Sequence, residues 1–227
     1  MAGHAHEGGR APGPGGDPLS TDANTRIFIR PIANPLPLGF LALAGGSLVV
    51  TGLQLGWLAE TEGHDVALIL LAFVFPLQLV ASVFGYLARD VVAGTGMGLL
   101  AGIWLSIALV KLGAEPGATS DALGLFLLIA AVAMMVPAAT ASTGKLVPAA
   151  VLTGAALRFA TTGIYELTAS ASWQDVAGVV GLVPCAIGVY AALALTLEDA
   201  RSETVLPLGR RTTATGAMPE AGVRDQL

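Results

Sequence analysis

Apolar residues in this chain fall into six long blocks, near residues 38–59, 66–88, 91–112, 121–142, 146–169 and 176–197, with short polar connections between them. A helix needs about 20 mostly apolar residues to cross the hydrocarbon layer of a bilayer. No water is available there to satisfy backbone groups, so each block has to close its own hydrogen bonds as a helix. The pattern predicts an all-α integral membrane protein: a six-helix bundle over residues 31–200, with polar tails at 1–30 and 201–227. Residues 1–24 are rich in Gly and Pro and lack the apolar core of a signal peptide. They are expected to form a disordered tail. The segment after Gly209 reads in the same way.

Composition agrees. The mean hydropathy is +0.74, and 54% of the residues are hydrophobic while 12% are charged, well outside the balance of a soluble domain. Charge sets an orientation. Nine of the 11 Lys and Arg residues lie on the side that carries both tails: Arg10, Arg26, Arg30, Arg89, Lys145, Arg201, Arg210, Arg211 and Arg224. Only Lys111 lies on the other side, so the positive-inside rule predicts cytoplasmic termini and a multi-pass protein of the cell (plasma or inner) membrane.

Several chemistries are disfavoured. Cys185 is the sole cysteine, which excludes an internal disulfide and a multi-cysteine metal site. His4 and His6 read as solvated tail residues, and with His64 in the first loop connection they leave no histidine to activate a nucleophile inside a span. Phosphate-binding loops and basic stripes with interleaved aromatics are not found. No enzyme activity, cofactor, metal or nucleic-acid partner is expected.

Within the spans, three features carry information. Small residues such as Gly45-Gly46-Ser47, Gly94-x-Gly96-x-Gly98 and Gly178-x-x-Gly181 suit close helix packing. Pro76, Pro137, Pro148 and Pro184 are each expected to remove an intrahelical bond and bend a span. Arg158 is the third. It lies twelve residues into the fifth block, about 18 Å along the helix, where an arginine costs about 2.5 to 3.5 kcal/mol to insert. Glu166, two turns on, is too far for a direct pair, at about 12 Å. Arg158 either faces a wet path and receives a carboxylate, which a guanidinium binds through two parallel bonds, or is held by backbone carbonyls and water as structural glue.

Residues 34–40 read Asn-Pro-Leu-Pro-Leu-Gly-Phe, immediately before the first block. Asn34 is placed to cap a helix, Pro35 and Pro37 occupy early positions where an N–H would be unused, and Gly39 permits close approach. This heptad resembles the Asn-Pro-Ala-Pro-Leu-Gly-Leu signature of the acetate uptake transporter family, the acetate/succinate permeases. Residues 178–209, which end in Thr-Val-Leu-Pro-Leu-Gly, resemble that family's last helix and C-terminal ending. Gln78 and Trp104 also fall at family-like positions.

The resemblance covers roughly residues 31–209 and is thin in the middle, as in a divergent member. It implies a small-carboxylate partner, of the acetate or succinate type, and a ring-shaped homohexamer in the lipid bilayer. It also places Asn34, Pro35, Pro37, Gly39, Gln78 and Tyr190 along the path. The family's apolar constriction, a Phe, a Tyr and a Leu, maps to Leu43, Leu100 and Gly154. All three differ from the family pattern, which implies a wider gate suited to a larger acid or a dicarboxylate. Gly154 is one turn from Arg158 and is expected to leave room for the guanidinium. Glu166, beside Tyr165, is the candidate proton relay if transport is proton-coupled, with an interfacial anchor pair as the plainer reading. Two other functions stay open: a non-conducting membrane sensor or regulator of the same fold, and a channel for a neutral solute such as ammonia or an amide.

Overall fold

The computed structural model describes residues 32–201 and 203–211. The expectations for the N-terminal tail, including His4, His6, Arg10, Arg26 and Arg30, and for Arg224 lie outside these residues. Six helical segments in the described chain are long and apolar enough to cross a membrane. These are α1 (Leu36–Gln54), a composite second span, α4 (Val91–Leu112), α5 (Asp121–Ser142), α6 (Leu146–Thr168) and α7 (Ala171–Arg201).

The composite span opens with a 3-10 turn at Glu60–Glu62. It continues as α2 (Gly63–Ile69), passes through a π-helical turn at Leu70–Val74, and ends as α3 (Phe75–Leu87). The wide turn has a local cause. Pro76 has no N–H to return to the preceding turn, and the N–H of Phe75 instead reaches back five residues to the carbonyl of Leu70. A π-bulge absorbs the missing bond without breaking the span.

Span boundaries move from the sequence expectation for identifiable reasons. The first span stops at Gln54, because Gly56 takes a left-handed φ of 68° and turns the chain. The second starts six residues early at Glu60, since Glu60, Glu62 and Asp65 lie in first turns, where the helix dipole favours negative charge. The last helix runs for 31 residues, past the apolar block to Arg201. Pro137 and Pro184 lie inside their helices, but Pro148 does not interrupt α6: it is the third residue of that helix, in its first turn. Side chains start two other spans. Asp90 accepts from the N–H of Ala93 at the head of α4 (2.9 Å), and Ser120 accepts from Leu123 at the head of α5 (3.3 Å).

Packing pairs α1 with α7, α3 with α4, and α5 with α6, while α6 also lies along α7. The α5–α6 crossing depends on Gly124 and Gly163. A Cβ on either would stand 2.9 Å from the other's carbonyl oxygen. The outward face of α5 exposes Leu125, Ile129, Val132 and Val136, a stripe at helical spacing that suits acyl chains.

At the opposite end of α7 the chain turns back. Leu146 N–H donates to Gly209 O (3.1 Å), Val147 N–H to Leu208 O (3.2 Å) and Arg211 N–H to Gly144 O (2.8 Å). Leu208 is buried, and Glu198 pairs with Arg210 and Lys145. The family-like ending is thus a clasp between the end of α7 and the start of α6.

Candidate functional site: a buried arginine at the floor of a cavity

Two polar rungs join α1 to α6 in the interior. Thr51 and Gln54 are one turn apart on α1, and Arg158 and Thr162 are one turn apart on α6. Arg158 Nη1 donates to Thr51 Oγ1 (3.1 Å), and Gln54 Nε2 donates to Thr162 Oγ1 (3.3 Å). The hydroxyl of Thr51 in turn donates to the carbonyl of Gly178 on α7 (3.3 Å). The arginine is 1% exposed. Its Cζ stands 5.7 Å from the centroid of the Trp104 ring, close enough for cation–π attraction. Phe159 holds that indole edge-on, with centroids 5.5 Å apart and planes at 70°.

The rungs leave donors and acceptors over. Arg158 Nη2, Trp104 Nε1 and Gln54 Oε1 are buried and have no hydrogen-bond partner among the described residues. A buried polar group left unpaired costs about 1–3 kcal/mol, more when it is charged. All three side chains line a cavity of about 100 Å³. Arg158 and Trp104 form its floor, and residues of the 113–120 loop stand at its mouth. At the mouth Lys111 Nζ meets Glu166 Oε1 at 2.7 Å and donates to Ala118 O (2.8 Å), while Ser120 N–H donates to Glu166 Oε2 (2.9 Å). His64 Nε2 lies 2.9 Å from Ala114 O and ties the same loop to α2.

The seat of the guanidinium differs from the sequence expectation. Gly154 does not make the room: a Cβ there would meet Pro184 and Val183 of α7 at an ordinary 3.6 Å, and Gly154 borders a separate groove between α5, α6 and α7. Gly181 makes it. A Cβ on Gly181 would overlap Nη1 of Arg158 and Oγ1 of Thr51. An arginine reaches sideways into the neighbouring helix, so its clearance is set by α7 and not by the residue one turn earlier on α6.

The other candidate residues are dispersed. Asn34 accepts from Leu36 N–H (3.0 Å) beside the start of α1, Pro35 precedes α1 and Pro37 lies in its first turn. Gly39 makes room for Met97, since a Cβ there would overlap its sulfur, and its carbonyl accepts from Gln78 Nε2 (3.3 Å). Leu43 and Leu100 are fully buried in the core and do not line the cavity. Tyr190 is also away from it: its hydroxyl donates to Pro207 O (2.8 Å) within the C-terminal clasp. Glu166 lines the cavity mouth, paired as described. Thr51, Gln54, Thr162 and Gly181 were not singled out as site residues from the sequence. The available signal was a pair of polar positions one turn apart in each of two apolar spans.

Comparison with known proteins places the chain. A family model described as the GPR1/FUN34/yaaH family matches residues 19–210, and the chain belongs to that family. Among solved structures it is similar to the bacterial acetate channel SatP, with a TM-score of 0.69 and 22% sequence identity over 78% of this chain and 99% of that chain. At that identity the likeness speaks to the fold, which is the expected six-helix membrane bundle. Among curated protein sequences none matches.

Proposed function

We propose that the protein is a membrane channel or transporter for small carboxylates and not an enzyme, with Arg158 and Trp104 as the donors that receive the anion. The observation that carries this is Arg158 Nη2. It is a permanently charged donor, buried at the floor of a cavity, with no hydrogen-bond partner among the described residues. A carboxylate arriving there accepts from Arg158 Nη2 and Trp104 Nε1 together and compensates the buried cation. An anion-seeking floor disfavours the neutral-solute alternative, and the acetate channel among similar structures favours conduction over sensing.

Glu166 already holds Lys111 and Ser120 N–H, so a proton relay there has to break an existing ion pair. This favours a passive path over symport, with uptake insensitive to an uncoupler. Cytoplasmic termini and a ring-shaped homohexamer belong to the same proposal, and crosslinking in mild detergent reads out the latter.

The test is Arg158→Gln in proteoliposomes supplied with labelled acetate and, separately, succinate. Carboxylate uptake should be lost while insertion is kept, because removing the central cation relieves an insertion cost of about 3 kcal/mol. Normal uptake by this variant would make Arg158 structural glue.

A further inference from the structure

The floor of the cavity leaves three buried polar atoms over, and they are not all of one kind. Arg158 Nη2 and Trp104 Nε1 are donors, whereas Gln54 Oε1 is an acceptor. The amide nitrogen of Gln54 is spent on Thr162 Oγ1 (3.3 Å), which leaves the oxygen over. On the reading of Arg158 as the anion seat, acetate satisfies only the donors. Both of its oxygens accept and its methyl group has nothing to give, so Gln54 Oε1 stays buried without a partner, at a cost to binding. A neutral amide or an undissociated acid supplies the missing donor but leaves the arginine's charge uncompensated. An anion that carries its own O–H meets both demands.

Distance and volume restrict that anion to a small one. Thr51 and Gln54 are three residues apart on α1, and Arg158 and Thr162 are four apart on α6, so the amide stands about one turn, roughly 4.5–6 Å, from the guanidinium along the axes. One small molecule bridges that gap with a hydrogen bond of about 2.8 Å at each end. The cavity holds about 100 Å³, about two-thirds of the roughly 150 Å³ that admits benzene, a six-carbon ring. That is room for about four non-hydrogen atoms. Hydrogen carbonate is that size: it is planar, and it is acetate with the methyl group replaced by a hydroxyl. We propose that the cavity takes hydrogen carbonate and holds it more tightly than acetate. Its two bare oxygens accept from Arg158 Nη2 and Trp104 Nε1, and its hydroxyl donates to Gln54 Oε1. Gln54 is then the residue that tells the two anions apart.

Calorimetric titration of the detergent-solubilised full chain in a closed cell at pH 8 tests this, with hydrogen carbonate, acetate and nitrate as probes and empty micelles subtracted. Nitrate is planar and has the same size and charge, but it carries no O–H. Hydrogen carbonate should bind roughly tenfold more tightly than acetate, and nitrate should show no such gain. Gln54→Met keeps an unbranched side chain of similar length without the acceptor, so the preference should fall to parity or below. Hydrogen carbonate binding no more tightly than acetate, nitrate matching hydrogen carbonate, or a preference unchanged in Gln54→Met overturns the proposal. The first two comparisons use the unmodified protein and decide even if the variant does not insert. Parity of hydrogen carbonate and acetate is also what an amide turned to offer a third donor, or a water serving Gln54 Oε1, would produce. Arg158→Gln separates the proposal from the reading beneath. If that variant loses both anions while the unmodified protein binds them equally, the seat stands and only the role of Gln54 fails. If Arg158→Gln binds both as the unmodified protein does, or the unmodified protein binds neither, both fail.

Discussion

Gly181→Ala is the most direct test of how the arginine is seated. An added Cβ would overlap Nη1 of Arg158 and the hydroxyl of Thr51, and would lie 2.9 Å from Arg158 Cζ. The Thr51 hydroxyl, bonded to Gly178 O, has to turn away from the added methyl, and the guanidinium, the far end of a flexible side chain, moves furthest. It then gives up the 3.1 Å bond to Thr51 and the 5.7 Å approach to Trp104. A hydrogen bond to a charged group is worth about 1.5–3 kcal/mol, and a cation–π contact about 0.5–2 kcal/mol. Water in the cavity takes over part of what is lost, which leaves a net deficit of about 2 kcal/mol, or roughly 30-fold weaker anion binding. Gly154→Ala is the matched control, since its Cβ would make only 3.6 Å contacts with Pro184 and Val183. The assay is the initial rate of labelled acetate uptake at low concentration, normalised to inserted protein. Gly181→Ala should fall by one to two orders of magnitude at constant insertion, and Gly154→Ala should stay near the unmodified rate. Equal rates for the two variants, whether both high or both low, would refute the assignment of the seat to α7.

Other expectations follow from single contacts. Glu166→Gln removes the carboxylate from Lys111, whose side chain is 28% exposed while that of Glu166 is 2% exposed. The cost therefore falls between the surface and buried limits, at about 1–3 kcal/mol, and a melting temperature in detergent that does not move would show that the pair does not hold the mouth together. Asn34→Ala removes the acceptor for Leu36 N–H and should cost about 1 kcal/mol in stability, read as a small drop in the same melt. If uptake collapses with the melt unchanged, Asn34 meets the permeant acid directly. Tyr190→Phe deletes the bond to Pro207 O, worth about 0.5–1.5 kcal/mol. It should loosen the C-terminal clasp and leave carboxylate binding at Arg158 intact, as titration with acetate would show.

The spans were legible because the bilayer imposes a length and an apolarity that few other environments require, and the acidic start of the second span misled only because charged residues can cap a helix beyond its apolar block. The heptad was legible for the same kind of reason: Asn34 and the two prolines act on neighbours within one turn. The π-turn at Leu70–Val74 was half legible, since Pro76 announced a missing bond but nothing local says whether a helix kinks or widens. What could not be read was everything set by which helices touch. Gly154 and Gly181 are equivalent in sequence, each a small residue in an apolar span, and only the α6–α7 crossing assigns one of them to the guanidinium. Tyr190 lies inside the matching C-terminal block, yet its hydroxyl is committed to that block's own ending.

The same geometry explains why Arg158 matters more than the altered constriction positions. Leu43 and Leu100 are fully buried and pack with Trp104 in one apolar core, so changing them alters packing before it alters anything an anion meets. Arg158 is held on one side by Thr51 and faced by Trp104, with Nη2 left over. A protein that needed the arginine only as glue would gain by satisfying that nitrogen, because a buried unmatched charge-bearing donor destabilises the fold it sits in. Arg158→Met therefore sets the two roles against each other. It keeps an unbranched apolar side chain beside Trp104, removes the charge, and should raise the thermal midpoint while abolishing carboxylate binding. A variant that instead melts earlier and still binds acids would place the arginine in the scaffold and move the anion's path elsewhere.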